Sequence, residues 1–269
     1  MNALSLGLPL IFLSLGMAAA WAVQRRTGNS GWVDMAWSAL TGLAAILGLG
    51  LAGVLTTGPG MLAAAILALW AGRLAIHIGG RSRFAGEDPR YAALIEEWGD
   101  QAPRQLFKFL QIQAVVSFVL VVSVMAAATG GSVELNQFHL VAFAIALMAV
   151  LGEALADRQL QEFRRENKGF KGICETGLWR WSRHPNYFFE WLYWCAWPVM
   201  AMAAGPVSVA LALLAPALMY YLLVHVSGIP PLEKYMLASR GERFRLYQNR
   251  VNAFFPGPPR PIQLKETAK

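Results

Sequence analysis

Ala114-Val115-Val116-Ser117-Phe118-Val119-Leu120-Val121-Val122-Ser123-Val124-Met125-Ala126-Ala127-Ala128 contains no charged side chain. The run extends upstream to Leu106 with Lys108 as its one charge. A helix that crosses a hydrocarbon core of about 30 Å needs about 20 predominantly apolar residues. Working outward from this stretch, comparable runs occupy 4–24, 32–53, 60–80, 138–157, 187–204 and 206–227. Together with 106–128 they predict an all-α, polytopic membrane protein with seven transmembrane helices. Only Gly205-Pro206, a pair suited to a tight turn, divides the last two.

Composition agrees. Of 269 residues, 56% are hydrophobic and 14% charged, with a mean hydropathy of +0.42. Soluble domains carry about 25% charged residues, so a large soluble core is disfavoured. No stretch reads as an interdomain linker, and 1–269 is predicted to be a single integral-membrane domain.

The net charge of +7 is sorted along the chain. Segments 54–59, 129–137 and 205–206 hold no Lys or Arg. Arg25, Arg26, Arg81, Arg83, Arg90, Arg104, Arg158, Arg164, Arg165, Lys168, Lys171, Arg180, Arg183 and the basic tail fall in the alternate loops. Lys and Arg accumulate on the cytoplasmic side of membrane proteins. The predicted topology therefore has the N-terminus outside and the C-terminus cytoplasmic. A nucleic-acid binder has no reason to sort charge this way, so no nucleic-acid partner is expected.

Three tempting signals are set aside. The Met17-Ala18-Ala19-Ala20-Trp21-Ala22 segment imitates a signal-peptide cleavage site, but no basic n-region precedes it, and Arg25 and Arg26 follow it. Gly48-Leu49-Gly50-Leu51-Ala52-Gly53 matches a dinucleotide fingerprint but ends an apolar span on the charge-free side, where close helix packing is the better reading. Cys174 and Cys195 suit neither a disulfide nor a Cys-x-x-Cys metal site, and no metal is expected.

Four stretches carry dense polar chemistry. In Asn29-Ser30-Gly31-Trp32-Val33-Asp34-Met35-Ala36-Trp37, Asp34 is either a functional acid inside the membrane or a carboxylate favoured at a helix start. Arg73, His77 and Arg81 share one helical face, which either lines a cavity or pairs with acids on neighbouring helices. Glu87-Asp88-Pro89-Arg90-Tyr91 follows.

The third stretch runs from Asp157 through Arg158, Arg164, Arg165, Lys168 and Lys171 to Gly177-Leu178-Trp179-Arg180-Trp181-Ser182-Arg183-His184-Pro185-Asn186-Tyr187-Phe188-Phe189-Glu190-Trp191. Its basic half reads as a solvated loop near anionic lipid heads. Its second half sets Asn186 and Glu190 on one helical face. Arg180, Ser182, Arg183 and His184 precede that helix start, as for a phosphorylated ligand. The fourth stretch is Ser227–Tyr235 with Arg243–Pro256, where the plainer reading of 233–250 is an amphipathic membrane-surface helix.

Across nearly the whole chain these stretches resemble the steroid 5α-reductase superfamily, and in particular its bacterial steroid 5α-reductase-like branch. Val33-Asp34-Met35-Ala36-Trp37, Glu87-Asp88-Pro89-Arg90-Tyr91, Gly177–Trp191 and Ser227–Pro256 carry the resemblance. It implies a seven-helix enzyme of the bacterial inner membrane. It also implies NADPH-dependent reduction of the carbon–carbon double bond of a lipophilic enone, foremost the Δ4 bond of a 3-oxo steroid to the 5α product. Membrane lipid is its surroundings and a monomer the expected state.

By the same resemblance Asp34 and His77 are the catalytic pair, standing where the family carries Glu and Tyr. A carboxylic acid can donate only when protonated, and a low-dielectric site raises its pKa, so Asp34 suits a partner role near the ketone, with His77 close by. Asn186 and Glu190 would address the nicotinamide carboxamide, and Arg164, Lys171 and Arg180 the phosphates. Asp157 matches a polar position of the nucleotide site, and Glu233, Tyr247 and Arg250 would close it. Arg81, Asp88, Arg90, Tyr91, Ser182, His184 and Tyr187 join the cofactor set, and Trp37, Arg73 and Trp194 the substrate set. All would converge on one cytosol-facing pocket.

An S-adenosylmethionine-dependent membrane methyltransferase of the isoprenylcysteine carboxyl type is the alternative. Such enzymes share Arg-His-Pro-x-Tyr but show a Glu-Glu pair where this chain has Glu233-Lys234. A transporter is disfavoured, because its polar residues should run the full depth of the membrane.

Overall fold

The computed structural model describes residues 2–82, 88–131, 133–167 and 172–261. Among them the regular structure is helical and no strand occurs. The helices are α1 (Ala3–Thr27), α2 (Gly31–Leu51), α3 (Gly58–Ser82), α4 (Pro89–Trp98), α5 (Ala102–Thr129), α6 (Gln137–Glu166), α7 (Pro185–Ala201), α8 (Pro206–Ala212), α9 (Leu214–Tyr221), α10 (Ile229–Arg240) and α11 (Glu242–Arg250).

Six helical stretches are long and apolar enough to cross a membrane: Ala3–Thr27, Gly31–Leu51, Gly58–Ser82, Arg90–Thr129, Gln137–Glu166 and Pro206–Arg240. The chain thus reads as a multi-pass integral membrane protein. The span expected at 187–204 is a helix of 17 residues ending at Ala201. At 1.5 Å per residue it measures about 25 Å, short of a typical hydrocarbon core. It ends early because Met202, Ala203 and Ala204 turn through i→i−3 hydrogen bonds of 3.2, 3.2 and 2.9 Å. Gly205 then takes φ 102°, and Pro206 starts α8.

The expected loop after 157 is corrected as well. α6 continues to Glu166 and carries Arg158, Arg164 and Arg165 on its last turns. Cations there complement the helix dipole, and Arg158 also pairs with Glu162 one turn on at 2.8 Å.

The chain divides into two compact units, one comprising Met1–Leu147 with Tyr193–Leu218 and the other Met148–Leu192 with Met219–Lys269. In the first, small residues let helices approach. A Cβ added at Gly48 would lie 2.6 Å from Met125 Sδ, so close helix packing is the use of that glycine, while Gly53 takes φ 74° in the turn after α2. Thr41 Oγ1 donates to Trp37 O at 2.7 Å and lies 3.0 Å from Ser117 Oγ, satisfying two buried hydroxyls between α2 and α5. Trp70 is fully buried, stacks on Tyr193 at 5.2 Å and meets Trp194 edge-on at 5.0 Å.

In the second unit, Phe244, Tyr247 and Val251 form a small core with Ile173, Met236 and Leu237. Residues after α11 strap back across the start of α7. Arg183 N–H donates to Asn252 O at 2.9 Å, and Gly257 N–H to Trp181 O at 2.9 Å.

Candidate functional site

Among the described residues, polar constellations occur in both units. The one in the first unit begins with a helix cap. The Asp88 side chain accepts from the Arg90 N–H at 3.0 Å, and Pro89 opens α4. An aspartate cap followed by a proline is a strong helix start. It places Arg90 and Tyr91 in the first turn of α4.

Arg90 then joins two acids. Its Nε and Nη2 donate to the two Asp88 oxygens, each at 3.0 Å. The same Nη2 reaches Asp34 Oδ2 at 2.6 Å. Tyr91 Oη donates to Asp34 Oδ1 at 2.8 Å and accepts from Gln113 Nε2 at 3.3 Å. Arg81 stands 3.8 Å from Asp88. Burial works to raise the Asp88 carboxyl pKa, but the hydrogen bonds and charge of Arg90 outweigh it and hold the group below the usual carboxylate range.

This geometry changes the role read for Asp34. The sequence suggested an acid partnering the ketone and left the donor open. In the structure both its oxygens accept, one from a guanidinium, which has only donors to offer, and one from a phenol. The donor beside Asp34 is Tyr91, which is buried, with 4% of its surface exposed. Tyr91 and Arg90 were assigned to the cofactor from sequence, and Gln113 was missed. His77 and Arg73 lie half-buried on α3. Trp37 packs edge-on against Trp70 at 6.1 Å. Trp194 is fully buried between aromatic neighbours, a packing position rather than an open wall.

The second constellation centres on Glu233. Arg183 grips it through two hydrogen bonds, Nε to Oε1 at 2.7 Å and Nη2 to Oε2 at 3.1 Å. His184 Nε2 lies 2.9 Å from Oε1, and Gln248 Nε2 donates to Oε2 at 2.7 Å. Arg183 Nη1 donates to the carbonyls of Gln248, at 3.1 Å, and Val251. Ser182 Oγ accepts from the His184 N–H at 3.1 Å and donates to Phe254 O at 2.8 Å. Tyr247 Oη donates to Trp179 O. Burial pushes the Tyr247 phenol up. Burial also holds the His184 imidazole below its ordinary value, against the opposing pull of Glu233.

Four residues read from sequence as cofactor ligands, Ser182, His184, Glu233 and Tyr247, are therefore engaged in tying the tail to the start of α7. Arg250 stands 3.3 Å from Glu175. Tyr187 stacks on His184 at 5.4 Å.

A second polar set lies on α6 and α7. Asn186 Nδ2 donates to Asp157 Oδ1 at 3.4 Å. Glu190, one turn further along α7, is buried, and so is Glu153, one turn before Asp157. The two helices meet closely because Gly152 has no side chain where the Phe189 ring lies. Glu153 was missed, although an acid within an apolar span was the available signal. Arg164 and Arg180 are exposed. Lys171 lies outside the described residues, as do Arg83, Glu87 and Lys168.

Residues 20–251 match the family described as "Protein of unknown function (DUF1295)". A protein of Schizosaccharomyces pombe described as uncharacterized is 27% identical over 285 residues, which cover 95% of this chain and 80% of that protein. No solved structure matches the chain.

Proposed function

We propose a function on one premise: the chain belongs to the DUF1295 family. Within it, this protein is an NADPH-dependent reductase of lipophilic enones, with a 3-oxo-Δ4 steroid as the foremost substrate class. The reading keeps seven spans, with Pro185–Ala201 as a short sixth, the N-terminus outside and the C-terminus in the cytoplasm of a bacterial inner membrane.

The observation that carries it is the Asp34–Tyr91 hydrogen bond of 2.8 Å, braced by Arg90. Reducing an enone builds negative charge on the carbonyl oxygen, and a fixed donor aimed there lowers the barrier. Tyr91 Oη becomes that donor when its one O–H turns from Asp34 Oδ1 to the bound carbonyl oxygen, leaving the Asp34 carboxylate paired with Arg90. Asp34 orients the phenol, and Arg90 and Asp88 hold Asp34 in place. Gln113 donates to the phenol oxygen, so the single Tyr91 proton goes to Asp34 until a carbonyl oxygen replaces it as acceptor.

The chemistry of the α6–α7 set fits a nicotinamide nucleotide. The Asn186 amide and the Glu190 carboxyl match the donors and acceptor of a carboxamide. Exposed Arg164 and Arg180 suit phosphates, including the 2′-phosphate of NADPH. When bound, NADPH supplies a hydride to the β-carbon of the enone. The α-carbon takes its proton from solvent, while Tyr91 Oη holds the oxygen.

The test is purified protein with NADPH and a panel of enone lipids, followed by nicotinamide absorbance and product analysis. Reduction of a 3-oxo-Δ4 steroid to the 5α product is expected. NADPH left unoxidised by every enone would sink the reading. Stabilisation by S-adenosylmethionine in place of NADPH, about 2.7 kcal/mol at 100 times Kd, would move the assignment to a methyltransferase.

A further inference from the structure

The tail helices carry a second surface that the proposed reaction does not use. On α11 the buried stripe is Phe244, Tyr247 and Val251. Helical periodicity turns Arg245 and Leu246 away from it, and both are exposed, Leu246 by 51%. On α10 the exposed pair is Lys234 and Tyr235, the latter by 48%. Each helix therefore presents a cation beside a large apolar or aromatic side chain. Between Ile229 and Arg250 there are five cations against two acids, and one of those acids, Glu233, is enclosed by Arg183 and His184. Neither Lys234 nor Arg245 makes an ion pair among the described residues.

We propose that the outward faces of α10 and α11 rest on a lipid surface rich in anionic headgroups. The cations select the charge, and Leu246 and Tyr235 select an interface over a soluble polyanion. A helix with a basic polar side and apolar residues beside it lies in the headgroup layer. Cations there gain from the negative surface potential of an anionic leaflet. The same chain carries six helices suited to crossing a membrane. The tail is thereby tethered near a bilayer at high effective concentration, so a weak individual affinity suffices.

The experiment uses the full chain in nanodiscs and does not depend on reductase activity. Leu246→Cys is labelled with an environment-sensitive fluorophore, with the unsubstituted protein carried through labelling as control, since Cys174 is buried but Cys195 is half-buried. The emission should shift to the blue in discs containing phosphatidylglycerol and stay unshifted in phosphatidylcholine alone. The shift should vanish in about 1 M salt, where the screening length falls to about 3 Å. It should also vanish in the labelled Lys234→Gln/Arg245→Gln variant, whose changes are confined to exposed side chains. Equal emission in the two lipids overturns the proposal. So does an equal shift on adding heparin to phosphatidylcholine discs, which would make the face a general polyanion site.

Discussion

The two polar constellations are built alike and end differently. Each has a carboxylate held by an arginine and a second donor: Asp34 by Arg90 and Tyr91, Glu233 by Arg183 and His184. Around Glu233 a side-chain amide also donates, and Arg183 goes on to donate to main-chain carbonyls, which knits α7 to the tail. Around Asp34 the most deeply buried partner is a phenol whose one proton goes to Asp34. The Glu233 arrangement is suited to holding the chain together, and the Asp34 arrangement, on the proposed function, to handing a phenol O–H from a carboxylate to a carbonyl. Density of charged residues alone does not separate them.

The comparison breaks most easily at Glu233. Glu233→Ala leaves Arg183, with 10% of its side chain exposed, without its counter-charge. The expected loss is about 3–5 kcal/mol of unfolding free energy, read by denaturant or thermal unfolding in detergent. A loss under about 1 kcal/mol would mean that the lock is ornamental. Next, Tyr91→Phe should lower kcat of enone reduction by about 10²–10³, with a smaller stability loss of about 1–3 kcal/mol from the partners left at Asp34 and Gln113. If both variants lose stability and activity in parallel, the contrast between lock and donor fails.

The third test sharpens the contrast through pH. His184 titrates below its ordinary 6.5 because burial disfavours the cation. The unfolded chain then takes up a proton at higher pH than the folded one. Its contribution to stability is intact above about pH 6.5 and is lost as pH falls through the folded value, with a slope up to about 1.4 kcal/mol per unit. Thermal midpoints measured between pH 8 and pH 5 should fall on the acid side, and His184→Asn should flatten that fall. The smallest effect is expected at Asp88→Ala, about 1 kcal/mol from the lost cap. Activity should drop further than that stability change explains, because Arg90 loses one of its two anchors.

The spans were legible because lipid imposes both their length and their apolarity on the sequence, as in 106–128. The end of α7 was not, since Met202–Ala204 differ little in hydropathy from the helix they terminate. The basic run after Asp157 read as loop because charge was weighed above helical continuity and the favourable position of cations at a helix end. At the candidate site, Asp34 was legible as an acid inside an apolar run. Its partnership with Tyr91 was not, because it spans 57 positions and depends on which faces of α2 and α4 meet. Asp157 and Asn186 were found separately and by residue type, and the structure sets them 3.4 Å apart.

The strap after α11 also fixes an order of events during synthesis. Arg183 precedes by some distance the groups that satisfy it, Glu233, Gln248 and Val251. While the chain is still emerging from the ribosome, this cation waits beside newly inserted helices with none of those partners made. Quality control that senses a stranded charge therefore has a natural checkpoint here. A chain stopped before Glu233 is expected to be degraded rather than to accumulate as a shorter membrane protein.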